Sequence, residues 1–347
     1  METRRRPRTS TRRMRGGQII LVCLAILSAL FFPSSNSTNA QQPTGATTQA
    51  GAGAQGFYAL RNARIVTVSG ALIESGTLVI HNGRIEAVGA NVAAPAGAEV
   101  IDASGLTVYP GMIDAGTSLG LVEIEQGAPG TVDLAEVGEM NPNAQAIIAV
   151  NPHSAHVNVT RVNGVTSVVT MPLGGIISGQ AALINLDGTT PREMAVLPSA
   201  ALVINFPRIT TTTFDALFNP QAVNITDAIS TRDRQLEQLR RLLRDAEAYG
   251  RAQDAYASDR SLPRPEQSVV LAALVPFVRG ERPVMMHADR EAEIRTAIRF
   301  ADELHLRPII LGGNDAWKVT ALLKERNVPV ILTGVLDLPT REDDDYD

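Results

Sequence analysis

From Phe57 the chain alternates apolar and polar positions with period two, the mark of half-buried strands. The runs 63–68, 77–80, 84–88, 99–102 and 106–109 each fit one short strand. Asn82-Gly83 stands between two of them and predicts a hairpin, because a type I′ turn needs φ > 0 at both central residues. Residues 57–110 therefore predict a small, mostly antiparallel sheet module.

After Pro110-Gly111 the rhythm lengthens. Residues 164–170 predict a buried strand, while much of 120–225 reads as loop and insertion. Leu236, Leu239, Leu243 and Ala246 recur at helical spacing among charged residues, predicting a helix over 226–257. A second helix is expected over 267–278. Three strand units then follow at about 22-residue spacing, at 284–287, 308–311 and 328–332. The first leads into a helix carrying Ile294, Ala297, Ile298 and Ala301. The second leads, with Asn314 as the expected N-cap, into one carrying Trp317, Val319, Leu322 and Leu323. Strands separated by helices pair in parallel, which favours a (β/α) barrel over an open doubly wound sheet. No GxGxxG turn opens any of these helices, so nothing supports a dinucleotide site. From Gly111 there are 237 residues, and a full eight-fold barrel uses about 250. The barrel is thus expected to be incomplete over 111–347.

The first forty residues depart from both rhythms. Seven arginines (4, 5, 6, 8, 12, 13 and 15) precede the apolar run Ile19–Phe32, and Thr38-Asn39-Ala40 offers a small-x-small cleavage site. This is the pattern of a secretory signal peptide, and a nearly continuous apolar run of 14 residues is short of the roughly 20 that span a bilayer. The mature chain is expected to be secreted across the inner membrane, to the periplasm, with no stable membrane anchor. Residues 41–56 carry no charge and read as a flexible linker. The single cysteine, Cys23, lies within the signal, which excludes a disulfide framework and a zinc site built on several thiolates.

Charge sharpens this division. The net charge of −5 conceals a basic leader, and residues after 40 hold 24 basic against 35 acidic side chains. An acidic body argues against nucleic acid as partner, because phosphate binding needs a basic surface.

Three segments together resemble the amidohydrolase superfamily: Gly76–Gly89, Val100–Gly105, and Tyr109-Pro110-Gly111-Met112-Ile113-Asp114-Ala115. The likeness is nearest to secreted imidazolonepropionase-like members and extends to residues 283–343. It implies a mixed α/β fold: a metallo-dependent-hydrolase (β/α)8 TIM barrel, here incomplete, beside a small β-sandwich contributed by 57–110. It also implies hydrolysis of carbon–nitrogen bonds in small cyclic amides, with one or two divalent metals, zinc above all, activating water. The family's His-x-His falls on Gly116-Thr117-Ser118, so both imidazoles are absent. A bridging lysine is absent too, since the two lysines are Lys318 and Lys324. His287 matches the fifth-strand ligand, and Leu311-Gly312-Gly313 carries no sixth-strand histidine. One imidazole does not make a catalytic zinc site, which uses three protein ligands. The resemblance thus implies a degenerate metal site in which His287 is the remaining ligand position.

Asp289 could act as a base and Arg290 could face the mouth, although both also suit a helix start with Glu291 and Glu293. Thr117 and Ser118 could hydrogen-bond a substrate. His153 and His156 sit in a segment that reads as loop, where Pro152 argues against helical chelation. His81 and His305 read as surface residues. Gly174–Gly179 reads either as an anion-binding nest or as a loop needing positive φ, and the acidic stretch 342–347 as a solvated loop. Two functions remain open: a hydrolase acting on a small-molecule substrate, and a non-catalytic relative that binds a small molecule or partner protein. Oligomerisation is left open.

Overall fold

The computed structural model describes residues 56–124, 128–215 and 219–334. The expected signal peptide, all of the linker except Gly56, and the acidic stretch 342–347 lie outside the described residues. Among the described residues no helix is long and apolar enough to cross a membrane.

The first sheet has five strands: β1 (Phe57–Ile65), β2 (Ile73–His81), β3 (Arg84–Gly89), β4 (Glu99–Asp102) and β5 (Thr107–Val108). Asn82 and Gly83 take φ of 51° and 73°, which makes the predicted hairpin turn and joins β2 to β3. β1 runs antiparallel to β2 but parallel to both β4 and β5, so the sheet is mixed where a mostly antiparallel one was expected. The reason is that the chain returns through 90–98 and lays β4 beside β1 in the same sense. Ala63, Ile65, Leu78 and Ala103 form the small core of this module.

Among the described residues the second sheet has seven strands, in the order β14-β13-β12-β9-β8-β7-β6. They are β6 (Met112–Thr117), β7 (Val165–Thr170), β8 (Ile177–Asn185), β9 (Ala195–Asn205), β12 (Val284–Ala288), β13 (Pro308–Gly312) and β14 (Val330–Leu332). Between β9 and β12 a hairpin of β10 (Thr212–Phe214) and β11 (Pro220–Ala222) stands apart from it. All its pairings are parallel except those of β8, which runs against both neighbours. The sheet curls into a nearly closed barrel. Its interior is one apolar cluster drawn from most of its width: Val169, Met171, Ala181, Ala201, Val203, Met285, Leu311 and Ile331.

β8 and β9 correct the expectation of loop over 120–225. Ser178-Gly179-Gln180 and Pro198-Ser199-Ala200 are poor strand formers, so local propensity conceals both strands. They are strands because burial on both faces and pairing with each other hold them. Pro198 is tolerated because β9 pairs with β12 only from Leu202 onward.

Short helices α1 (Ala146–Ala149), α2 (Ala155–Val162) and α3 (Pro191–Met194) cover the outer face of β7 and β8. The rest of the outer face packs under α4 (Ile225–Ser258), α5 (Val269–Val278), α6 (Glu291–Glu303) and α7 (Thr320–Glu325). Leu239, Leu243, Leu274, Phe277, Ile294 and Ile298 meet Leu202, Ile204, Val284, Met286 and Ile310 there. Asn224 and Ser268 cap α4 and α5 by accepting the Thr226 and Leu271 N–H groups. Asn314 is not a cap: Asp315 precedes a 3-10 turn over Ala316–Val319, and α7 starts only at Thr320. That turn rotates Trp317 away from the expected core, and the indole is 59% exposed.

α4 and α6 are tied by Arg240, whose Nε and Nη2 donate to the two Glu303 carboxylate oxygens at 2.9 and 3.2 Å. The guanidinium also lies 5.4 Å from the Phe300 ring centre. The Arg240 hydrogen bond, aided by the charge of Arg244, holds the Glu303 carboxyl below the usual glutamate range. A carboxylate lowered in the fold stabilises it above that range and loses the contribution as pH falls through the lowered value. Glu303→Gln should cost about 0.5–1 kcal/mol at pH 7, discounted for its partial exposure. Urea melts at pH 7 and pH 3 check this: the gap between variant and wild type should close at the lower pH, and a constant gap would refute it.

Candidate active site at the barrel mouth

β12 alternates between two environments. Val284, Met286 and Ala288 enter the core under the helices, and Met285 enters the barrel interior. His287 shares the Met285 face and ends the strand at the mouth, where parallel strands present their C-terminal ends. In register beside it stand Asn205 of β9 and Leu311 of β13.

Asp289 follows two residues on. Its Oδ2 lies 3.5 Å from His287 Nε2, with the imidazole side chain 38% and the carboxylate 21% exposed. The pair is held from outside. The Glu293 carboxylate accepts the backbone N–H groups of Asp289 and Arg290 at 3.1 and 3.3 Å, capping α6. The Asp315 carboxylate accepts the Glu291 N–H at 3.1 Å and pairs with Lys318 at 3.0 Å, pinning the loop after β13 to the same helix start. Gly312 has φ +96°, and a Cβ there would lie 2.3 Å from Asp289 Oδ1, so glycine is what lets the carboxylate sit against β13.

A pocket of about 330 Å³ opens beside His287. Glu139, Asn205, Arg208, Thr210 and Gln235 supply its other polar walls. Asn205 is fixed in place: its Nδ2 donates to the Gly175 carbonyl at 2.8 Å and to Ser178 Oγ at 3.1 Å. Arg208 and Thr210 come from the loop after β9, and Gln235 from α4. None of Glu139, Asn205, Arg208 and Gln235 stands out by spacing in the sequence; the fold alone assembles them.

The remaining sequence candidates fall elsewhere. Thr117 ends β6 and accepts the Leu119 N–H through its hydroxyl at 3.3 Å, while Ser118 follows it, and neither lines the pocket. Arg290 occupies the N-cap position of α6. Gly174, Gly175 and Gly179 all have positive φ. The Ile176 and Ile177 N–H groups donate to the Glu139 carbonyl, as suits the reading of a loop that needs positive φ. His156 corrects its loop assignment: Ser154 caps α2, so His156 lies in the first helical turn and His153 outside it. The His156 Nε2 meets the Glu123 carbonyl at 3.1 Å. His81 stacks on Phe57 and faces Glu86 at 3.4 Å. His305 is exposed beyond the end of α6, with φ 54°.

A divalent metal does not fit the donors described. Among the described residues no three His, Cys, Asp or Glu side chains form a group able to hold one. A side chain at Gly116 would meet Leu311 Cδ1, Met171 Cε and Ile331 Cγ2 at 3.4–3.6 Å. The space on the barrel axis is therefore apolar, as well as lacking imidazoles.

The curled sheet has a counterpart among solved structures. An amidohydrolase from Thermotoga maritima superposes with a TM-score of 0.71 at 24% identity, covering 82% of this chain and 72% of that one. The fold is that of an amidohydrolase barrel. Curated relatives match over shorter segments. A dihydroorotase from Geotalea daltonii is 30% identical over 151 residues, covering 42% of this chain and 34% of that protein. One from Geobacter sulfurreducens is 42% identical over 55 residues, 16% of this chain and 13% of that protein. The matched part of this chain thus spans no more than about a third of the curated relatives' length. No protein-family model matches the chain.

Proposed function

We propose that this protein is an amidohydrolase-type enzyme that hydrolyses a carbon–nitrogen bond in a small cyclic amide bound at the barrel mouth. The observation that carries the reading is the His287–Asp289 pair, 3.5 Å apart, at the C-terminal end of a barrel strand beside a pocket of about 330 Å³. The short matches to dihydroorotases support the substrate class. In this reading Asp289 orients the imidazole through Nε2, and the other ring nitrogen takes a proton from water as its oxygen attacks the ring carbonyl. The proton passes to the leaving nitrogen as the C–N bond breaks. Family resemblance implies a divalent metal, but the donor side chains among the described residues do not fit one. The reading includes an exported mature chain following a signal at 1–40, with sheet module 57–110 and barrel 111–347.

A second reading, binding without turnover, is favoured by one observation: Gly116 and Ser118 stand where the resemblance places paired imidazoles. One experiment separates the two. The purified protein is incubated with hydantoins, lactams, dihydroorotate and N-acyl amino acids, before and after chelator dialysis, with bound metal measured and products read by mass spectrometry. Ring opening of at least one cyclic amide supports hydrolysis. Absence of turnover across the panel, with a ring compound still bound, overturns it in favour of the binder.

A further inference from the structure

Asn205 ends β9 in register with His287 of β12, and the two strands run parallel. Val203 and Met285, two residues earlier on each strand, both enter the barrel interior. Asn205 and His287 therefore share that face at the mouth, and both line the pocket. The surroundings of Asn205 fix which way its amide points. Nδ2 donates to the Gly175 carbonyl at 2.8 Å and to Ser178 Oγ at 3.1 Å, with the Gly174 carbonyl at 3.4 Å. A carbonyl only accepts, so the NH2 end must face the glycines and Oδ1 must face away from them. The anchor is itself closely packed, since a side chain on Gly175 would meet the Glu139 carbonyl at 2.9 Å. Among the described residues no group donates to Oδ1, so this acceptor is held in place and left available.

We infer that Asn205 positions the attacking water in the hydrolysis proposed above, on which this step rests. Neighbouring strands lie about 4.8 Å apart. Two hydrogen bonds of about 2.8 Å, meeting at a water's near-tetrahedral angle, span about 4.6 Å. One water thus reaches both side chains. It donates one O–H to Asn205 Oδ1 and the other to the ring nitrogen of His287 that Asp289 leaves free. Its lone pair then adds to the ring carbonyl carbon as His287 takes the second proton. That proton goes to the leaving nitrogen as the C–N bond breaks. The hydrogen held by Asn205 stays on the new carboxyl group until it ionises to solvent.

The test is steady-state kinetics of the chelator-dialysed full chain on the cyclic amide that it opens fastest. Asn205→Leu should lower kcat about 10–100-fold, the range expected when a reacting group is misplaced by about an ångström. KM should stay within about twofold and the pH profile should keep its shape, because the amide touches water and not the ring. Ser178→Ala removes one anchor of the amide without changing the pocket lining, so kcat should fall by less, again at constant KM. Asn205→Asp keeps an acceptor for the water and should retain more activity than Asn205→Leu. Thermal melts run alongside, and where Asn205→Leu melts early the other two variants decide. Unchanged kcat in Asn205→Leu, a loss carried by KM, or equal activity of the Asp and Leu variants would each overturn the inference while leaving hydrolysis standing. Absence of wild-type turnover overturns hydrolysis and this step together.

Discussion

Replacing His287 with asparagine should lower turnover of a ring amide by about 10²–10⁴, the span by which a positioned general base contributes. The side chain is partly exposed at a strand end, so the fold loses little when it changes. The loss is expected in kcat and kcat/KM alike, because the group acts on the proton that moves in the transition state. Asp289→Asn should produce a smaller fall in the same direction, since an amide at 3.5 Å can still present an oxygen toward the ring. Steady-state kinetics on the best substrate of the panel, with thermal melts alongside, check both variants. Unchanged kcat in His287→Asn would remove the imidazole from the mechanism and transfer the base role to another group at the mouth.

Gly312→Ala should be a damaging single-methyl change beside the His287–Asp289 pair. The added Cβ meets Asp289 Oδ1 at 2.3 Å and His287 Cδ2 at 3.0 Å, on a backbone with φ +96°. Positive φ alone costs an alanine about 1 kcal/mol, and forcing the carboxylate and imidazole aside brings the total to about 2–4 kcal/mol. At about 2–4 °C per kcal/mol for a domain of this size, the melting temperature falls by about 4–16 °C. Gly83→Ala is the control: φ there is +73°, with nothing within 4 Å of the new methyl. It isolates the backbone term. If Gly312→Ala melts no lower than Gly83→Ala, the carboxylate moves freely and the His287–Asp289 geometry is not held by packing against β13.

How far the sequence foretold these features depends on how local their causes are. The Asn82-Gly83 hairpin follows from two residues, and α4 follows from its own 3.6-residue repeat, so both are found nearly to the residue. The parallel order of β12, β13 and β14 follows from the strand–helix spacing. β8 and β9 escape because Gly179, Pro198 and Ala201 contradict their strand state, and only neighbours on both sides enforce it. The site divides in the same way. His287 and Asp289 share a strand end and can be read together in the chain. Arg208, Gln235 and Glu139 reach the pocket from an irregular loop, a helix and a turn, and no spacing rule joins them. Trp317 escapes because a 3-10 turn, with three residues per turn, shifts its side chain out of the α-helical stripe.

The reversed direction of β8 bears on the order in which the barrel forms. β7, β8 and β9 are consecutive in sequence and pair antiparallel through short connections. They can zip as a meander at small loop-closure cost, as soon as that part of the chain is made. β9 and β12 are neighbours in the sheet, yet the whole of α4 and α5 separates them in sequence. That pairing closes a long loop, whose entropy is offset only when Leu239, Leu243 and Phe277 are buried against Leu202 and Ile204. Asn205 and His287 face each other across that seam. Topology therefore predicts that the chemistry of the mouth is completed only when this long-range pairing forms, after the meander that carries its first half.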